Sequence, residues 1–170
     1  ARRKNADLKC YEGGTSQHCD AEKIASRQAK DPHWVFDPLY AYSEEPHLAL
    51  WLTGNKTAQS WVLKEEKTSF YLLHAYVTNV LRRLGIAYKL APLTANELYE
   101  DGMAILAPNG KQIGVMAIVA KKQLKAFDID NPVYYADLDW NMVLRLHKQY
   151  KPVINDLPKY PEVKRDLALL

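Results

Sequence analysis

The amino-acid sequence predicts an α+β fold, an antiparallel β-sheet with flanking helices, and three stretches carry that prediction. The first runs from Met103 to Trp140. Met103 to Pro108 and Lys111 to Ala120 are apolar runs. Asn109-Gly110 between them signals a hairpin, expected with a type I′ turn. In the second run Ile113, Val115, Ala117 and Val119 alternate with Gly114, Met116 and Ile118, so both faces are apolar. That strand is expected inside a sheet covered on both sides. The second stretch is His47 to Thr53, where Leu48, Leu50 and Leu52 share one face of a strand. In the third, Phe70, Leu73, Val77, Val80, Leu81 and Leu84 recur at i, i+3, i+4 and i+7, the single apolar stripe of an amphipathic helix.

The remaining elements follow in order. Asp7 to Glu12 is a short candidate strand, with Gly13-Gly14-Thr15-Ser16 as a turn after it. Residues 20 to 46 read as loop, because Asp31-Pro32, Asp37-Pro38 and Glu45-Pro46 each disfavour helix at the residue before proline. A piece of helix from Ala21 to Ala29, capped by Asp20, fits inside that region. Gly54-Asn55 closes the strand at Thr53, Trp61-Val62-Leu63 starts a further element, and Thr68 or Ser69 caps the long helix. Arg82 and Arg83 sit in its last turn, where cations favour the carbonyl end, and Gly85 suits the C′ position. Tyr88 to Leu90 is a candidate strand, and Asn96 to Glu100 a short helical turn. Lys121 to Asp128 crosses over to a strand at Val133 to Trp140. A last helix is expected to start at Asp139 as N-cap, with Leu138 meeting Val143 as a hydrophobic staple, and to end near Tyr150.

Length and composition bound the function. A chain of 170 residues makes one domain, or one domain plus a fragment, and buries roughly 70% of its unfolded surface without needing disulfides or metal. The net charge of +3 permits RNA binding without arguing for it. No run reaches the length of a membrane span. Cys10 and Cys19 are too few for a disulfide framework, so a cytoplasmic setting is expected. The basic start Ala1-Arg2-Arg3-Lys4 and the apolar end Leu167-Ala168-Leu169-Leu170 suggest a piece of something longer. Residues 1–150 are read as the core domain, 151–161 as a proline-bearing linker, and 162–170 as the truncated start of another domain.

A search for chemistry assigns no catalytic, cofactor-binding or metal-binding residue. Gly110-Lys111 lacks the spacing of a phosphate loop. Cys10, His18 and Cys19 lack the paired spacing of a zinc site. His33, His47, His74 and His147 stand singly. Asp137 and Asp139 share a strand face, the geometry of a carboxylate pair, but Asp139 serves better as a helix cap, with Asp137 facing water. Asn55-Lys56-Thr57 is a chance match to a glycosylation acceptor. Arg2-Arg3-Lys4, Lys121-Lys122-Lys125 and Lys148-Lys151 are basic clusters that fit a solvated face or, beside aromatics, an RNA backbone.

One resemblance spans nearly the whole chain. Tyr160-Pro161, followed by Arg165-Asp166-Leu167-Ala168, resembles the start of the ferredoxin-fold anticodon-binding domain that closes the β chain of bacterial phenylalanyl-tRNA synthetase. Upstream, Arg3-Lys4-Asn5 before Asp7-Leu8-Lys9 and Tyr11-Glu12 is similar to that family's N-R-K-N…D-L-K-x-F-E stretch. Thr53-Gly54-Asn55 with Trp61 is similar to its T-G-N…W, Gly110 to Gly114 to its G-x-x-I-G, and Tyr135 to Asp139 to its F-E-L-D strand. Leu72-Leu73-His74-Ala75 departs from the family's D-L-K-G.

The resemblance implies a module like the catalytic domain of class II aminoacyl-tRNA synthetases but without catalytic residues. It implies an α chain that binds ATP, phenylalanine and the tRNA acceptor end with magnesium, an (αβ)₂ heterotetramer, and tRNA(Phe) as substrate of the whole enzyme. The segment itself is expected to bind no cofactor. The alternative is an autonomous RNA-binding or protein-interaction module using the lysine clusters.

Overall fold

In a computed structural model, residues 6–31, 33, 35, 37, 39–57 and 60–152 are described. The basic cluster at Arg2-Arg3-Lys4, almost all of the expected linker, and the expected domain start with its strand at Leu167 to Leu170 lie outside them.

Six strands form one antiparallel sheet. They are β1 (Leu8–Cys19), β2 (Tyr42–Thr53), β5 (Lys89–Pro92), β6 (Tyr99–Leu106), β7 (Gln112–Val119) and β8 (Val133–Asp139), in the spatial order β1-β2-β8-β7-β6-β5. The short strands β3 (Asn55–Thr57) and β4 (Glu66–Lys67) make a separate ribbon. The helices are α1 (Ala21–Lys30), α2 (Phe70–Arg83), α3 (Lys121–Ala126) and α4 (Trp140–His147). This is the α+β architecture that the alternation and the helical stripe predict.

Period 2 assigns the faces. Leu50 of β2, Ala136 of β8 and Met116 of β7 pair directly across the strands, Leu52 and Leu138 lie on the same face, and all five share one buried cluster with Leu73, Val77 and Leu81 of α2 and Val143 of α4. α2 and α4 therefore cover this face. Leu73, Val77 and Leu81 are each 0% exposed, as the stripe predicts. The stop of α2 is a Schellman motif. Gly85 sits at φ 68°, its N–H donates to the Arg82 carbonyl, and the Ile86 N–H donates to the Leu81 carbonyl.

Several local expectations are corrected. Gly13 to Ser16 is no turn; it lies inside β1, paired in unbroken register with β2 from Leu8↔Thr53 to Cys19↔Tyr42. Glycines weaken a strand, but continuous pairing overrides that preference. β2 also begins earlier than the prolines suggest. Pro46 is tolerated because β8 pairs with β2 only from His47 onward, so no neighbour on that side needs its missing N–H. The Asn109-Gly110 hairpin forms, but not through a type I′ turn. Of the two residues only Gly110 has positive φ, 82°, and the Gly110 N–H donates to the Ala107 carbonyl. Pro108, with its fixed φ, instead favours a type I turn ending in a left-handed glycine, a three-residue loop. Asn96 to Glu100 is not helical: Asn96 Oδ1 accepts from the Leu98 and Tyr99 amides, a side-chain turn that leads into β6. Ser69 occupies the N-cap position of α2 without a side-chain hydrogen bond. Trp61 to Leu63 forms a bend between β3 and β4, with Trp61 98% exposed.

Asp139 behaves as expected. Its Oδ1 accepts from the Met142 amide at 3.0 Å, and Leu138 and Val143 are both fully buried beside it. Replacing this cap with alanine orphans an amide, so Asp139→Ala is expected to cost about 1 kcal/mol. Asp139→Asn keeps the acceptor and is expected to stay within a few tenths of wild type in a urea titration.

Candidate functional site

The two faces of the sheet differ, and each carries a candidate site. On the helix-bearing face, α2 and α4 stop short of the edge strand. Lys9↔Leu52, Tyr11↔Leu50 and Gly13↔Leu48 pair across β1 and β2, so Tyr11 stands on the covered face, yet it is 81% exposed. The gap is an apolar groove of about 630 Å³, walled by Tyr11, Leu48, Leu50, Val80, Leu84 and Trp140. Lys9, Asn79 and Arg83 also line it. β1 lies at the sheet's edge, and all its residues but Ser16 are exposed.

The opposite face is polar toward β1 and aromatic toward β6. His47 Nδ1 lies 3.0 Å from Asp137 Oδ1, and His47 Nε2 lies 2.9 Å from Ser16 Oγ. His18 and Glu45 flank this row, 3.5 Å apart. Next to it Trp51 and Tyr135 meet with ring centroids 4.1 Å apart, and Tyr99 stacks on Tyr135 at 6.1 Å. α3 reaches this face at its far end, where Leu124 shares a cavity of about 400 Å³ with Trp51, Tyr99, Val119, Val133 and Tyr135. β7 is thus interior, with α2 over one face, while α3 and the aromatic row cover only part of the other.

Burial raises the Tyr135 phenol above its ordinary value of 10.0, and the Asp137 charge, Tyr99 and a hydrogen bond to Asp137 raise it further. Tyr99 is raised by burial first and by Asp137 second. A raised folded-state value means that the folded chain holds these protons more tightly than the unfolded chain. Their contribution to stability is therefore complete below pH 10 and is lost as pH rises beyond it. Tyr135→Phe is expected to flatten the alkaline decline of stability, measured as the urea midpoint between pH 9 and pH 11.5.

The sequence candidates scatter. Cys10 and Cys19 are exposed near opposite ends of β1, about 30 Å apart at strand rise, with His18 beside only one of them. Among the described residues no three metal-binding side chains converge. Asp137 and Asp139 are not a working pair, since one holds His47 and the other caps α4. His74 meets Thr78 and Tyr88, and His147 Nδ1 donates to the Leu84 carbonyl at 2.9 Å. Lys121, Lys122 and Lys125 are exposed on α3, where Lys121 meets Glu100. Sequence reasoning missed His47 as the partner of Asp137 and Ser16 as the partner of His47. Reading Ser16 as part of a turn removed it from the strand face, and no local signal places it beside His47.

Comparison with known proteins completes the picture. The family described as phenylalanyl tRNA synthetase beta chain CLM domain matches residues 1–140. This chain belongs to that family. The phenylalanine–tRNA ligase beta subunit of Bacteroides thetaiotaomicron is 44% identical over 174 residues, and that of Bacteroides fragilis 42% identical over 172 residues. Each match covers 100% of this chain and 20% of the relative, so the chain spans about a fifth of their length. The sheet with its helices is similar to a pyrrolysyl-tRNA synthetase from Desulfitobacterium hafniense, with a TM-score of 0.53 and 15% identity over 86% of this chain and 44% of that one. That likeness concerns the fold, that of a class II synthetase. Among the described residues no helix is long and apolar enough to cross a membrane.

The polar face does not suit a nucleotide triphosphate. Glu12, Glu45 and Asp137 line its cavity with His18 and His47, so phosphates would meet carboxylates with no lysine or arginine among the lining side chains.

Proposed function

We propose that this chain is a non-catalytic structural module of phenylalanine–tRNA ligase that holds the α chain in its assembly. The whole enzyme, an (αβ)₂ heterotetramer in the cytoplasm, attaches phenylalanine to tRNA(Phe) using ATP and magnesium. The α chain supplies the chemistry, and this module binds no cofactor itself. The observation that carries the reading is the apolar groove beside Tyr11, Val80 and Trp140, opened along an edge strand whose outer side pairs with no other strand among the described residues. An edge strand next to an apolar groove is a surface that a partner chain covers. Family membership supports the α chain as that partner.

The test is phenylalanine-dependent exchange of pyrophosphate into ATP, together with gel filtration, on the folded chain alone and then with the cognate α chain. The expected result is co-elution with α and no exchange by this chain alone. Exchange by this chain alone, or separate elution from a folded α chain, overturns the proposal. The rival RNA-binding reading predicts instead tRNA binding by the isolated chain that weakens steeply with salt.

A further inference from the structure

We propose that Ser16, His47 and Asp137 form a nucleophilic site that hydrolyses carboxylic esters bearing an apolar acyl group, an activity separate from tRNA ligation. The geometry supplies each role. Asp137 is an acceptor when ionised, so His47 Nδ1, 3.0 Å away, carries the proton. The lone pair of His47 is thereby left on Nε2, which faces the Ser16 hydroxyl at 2.9 Å. The other Ser16 Oγ contacts, 3.3 Å to His18 Nε2 and 3.4 Å to the Glu45 carbonyl, are longer. A nucleophile held by a base whose tautomer is fixed by a carboxylate is the arrangement by which such triads are recognised on unrelated folds.

Room and an oxyanion donor are also present. Gly14 lies on the same face directly opposite His47, and a side chain built there meets nothing within 4 Å. The Asp20 N–H donates to the Ala41 carbonyl, continuing the β1–β2 ladder, so even-numbered amides of β1 point toward β2. The Gln17 amide, next to the nucleophile, therefore points outward from the edge, where no strand among the described residues pairs with it. It is the donor for the developing oxyanion. Tyr135 lines both the cavity at Ser16 and the aromatic cavity of Trp51, Tyr99 and Leu124, so an apolar acyl chain bound over Ser16 has these rings beside it.

The chemistry balances with water as the only co-reactant. Ser16 Oγ forms a bond to the acyl carbon as its proton passes to His47 Nε2. The ester C–O bond then breaks, and the leaving alkoxide takes that proton. Water, deprotonated by the same nitrogen, attacks the acyl-serine and releases the carboxylic acid, while the proton returns to Ser16. Asp137 acts as a positioning residue through His47.

The experiment treats the purified chain with a fluorophosphonate probe, maps the modified residue by mass spectrometry, and measures hydrolysis of p-nitrophenyl butyrate and p-nitrophenyl octanoate. Modification is expected at Ser16, with octanoate the better substrate. Ser16→Ala is expected to lower hydrolysis at least about 100-fold, the lower end for loss of nucleophile and base action. Asp137→Asn is expected to lower kcat while leaving KM near its starting value. Gly14→Leu, which the open space accommodates, is expected to keep the urea midpoint and lose both modification and hydrolysis. A folded chain whose Ser16 remains unmodified, or whose ester hydrolysis is unchanged in both Ser16→Ala and Gly14→Leu, overturns the proposal and leaves the three residues as a cross-strand hydrogen-bond row.

Discussion

Leu81→Ala is expected to destabilise the chain by about 3 kcal/mol, a large share of the roughly 5–15 kcal/mol that holds a domain of this size folded. Leu81 is 0% exposed and belongs to the cluster that joins α2 to β2, β7 and β8. Truncation removes its transfer free energy and leaves a cavity that the rest of the buried cluster, held in place by its own strands and helices, cannot fill. A second loss comes from the helix stop. The Schellman motif brings Ile86, 6% exposed, back to Leu81, and the alanine variant lacks the apolar contact that accompanies the Ile86-to-Leu81 hydrogen bond. The measurement is urea unfolding, read as a shift in midpoint at constant slope. Leu144→Ala provides the contrast: Leu144 is 41% exposed on α4, and its truncation is expected to cost well under half as much. Equal losses in the two variants would mean that α2 is not the keystone of the core.

Tyr11→Ala is expected to weaken assembly with the α chain about 30-fold, roughly 2 kcal/mol, while leaving the fold intact. Tyr11 is 81% exposed and borders the groove, so little of its surface is buried in the isolated chain. A large amphipathic ring at the mouth of an apolar groove is the kind of side chain that dominates a protein interface once water is excluded. Tyr71 makes the matched control, since it is 82% exposed on α2 but lines a different cavity, with Phe70, His74 and Met103. Titration of labelled α chain by fluorescence anisotropy distinguishes the two. Loss in Tyr71→Ala and none in Tyr11→Ala would move the interface to the α2–β6 side of the sheet.

Elements with a strong local period were legible in the sequence. The α2 stripe, its glycine stop, the Asp20 and Asp139 caps and the apolar alternation of β2 all stand where residue spacing places them. Local rules failed where pairing supplied what the local sequence lacked. Gly13 to Ser16 is strand because β2 runs beside it, and Pro46 is strand because β8 ends before reaching it. The family was legible from short motifs in order along the chain, and the match over residues 1–140 bears that out.

The candidate sites divide in the same way. The sequence by itself determined the sheet-and-helix class, the apolar residues that form the core, and membership of the β-chain family. Tertiary structure alone decided that Asp137 meets His47, 90 residues away, that Ser16 meets His47 across 31, and that no strand among the described residues covers the outer edge of β1. Period and capping act within one or two turns of chain and so are written in neighbouring residues. Strand order and register are set by which distant surfaces bury the most apolar area together, a property of the whole chain that no short stretch records.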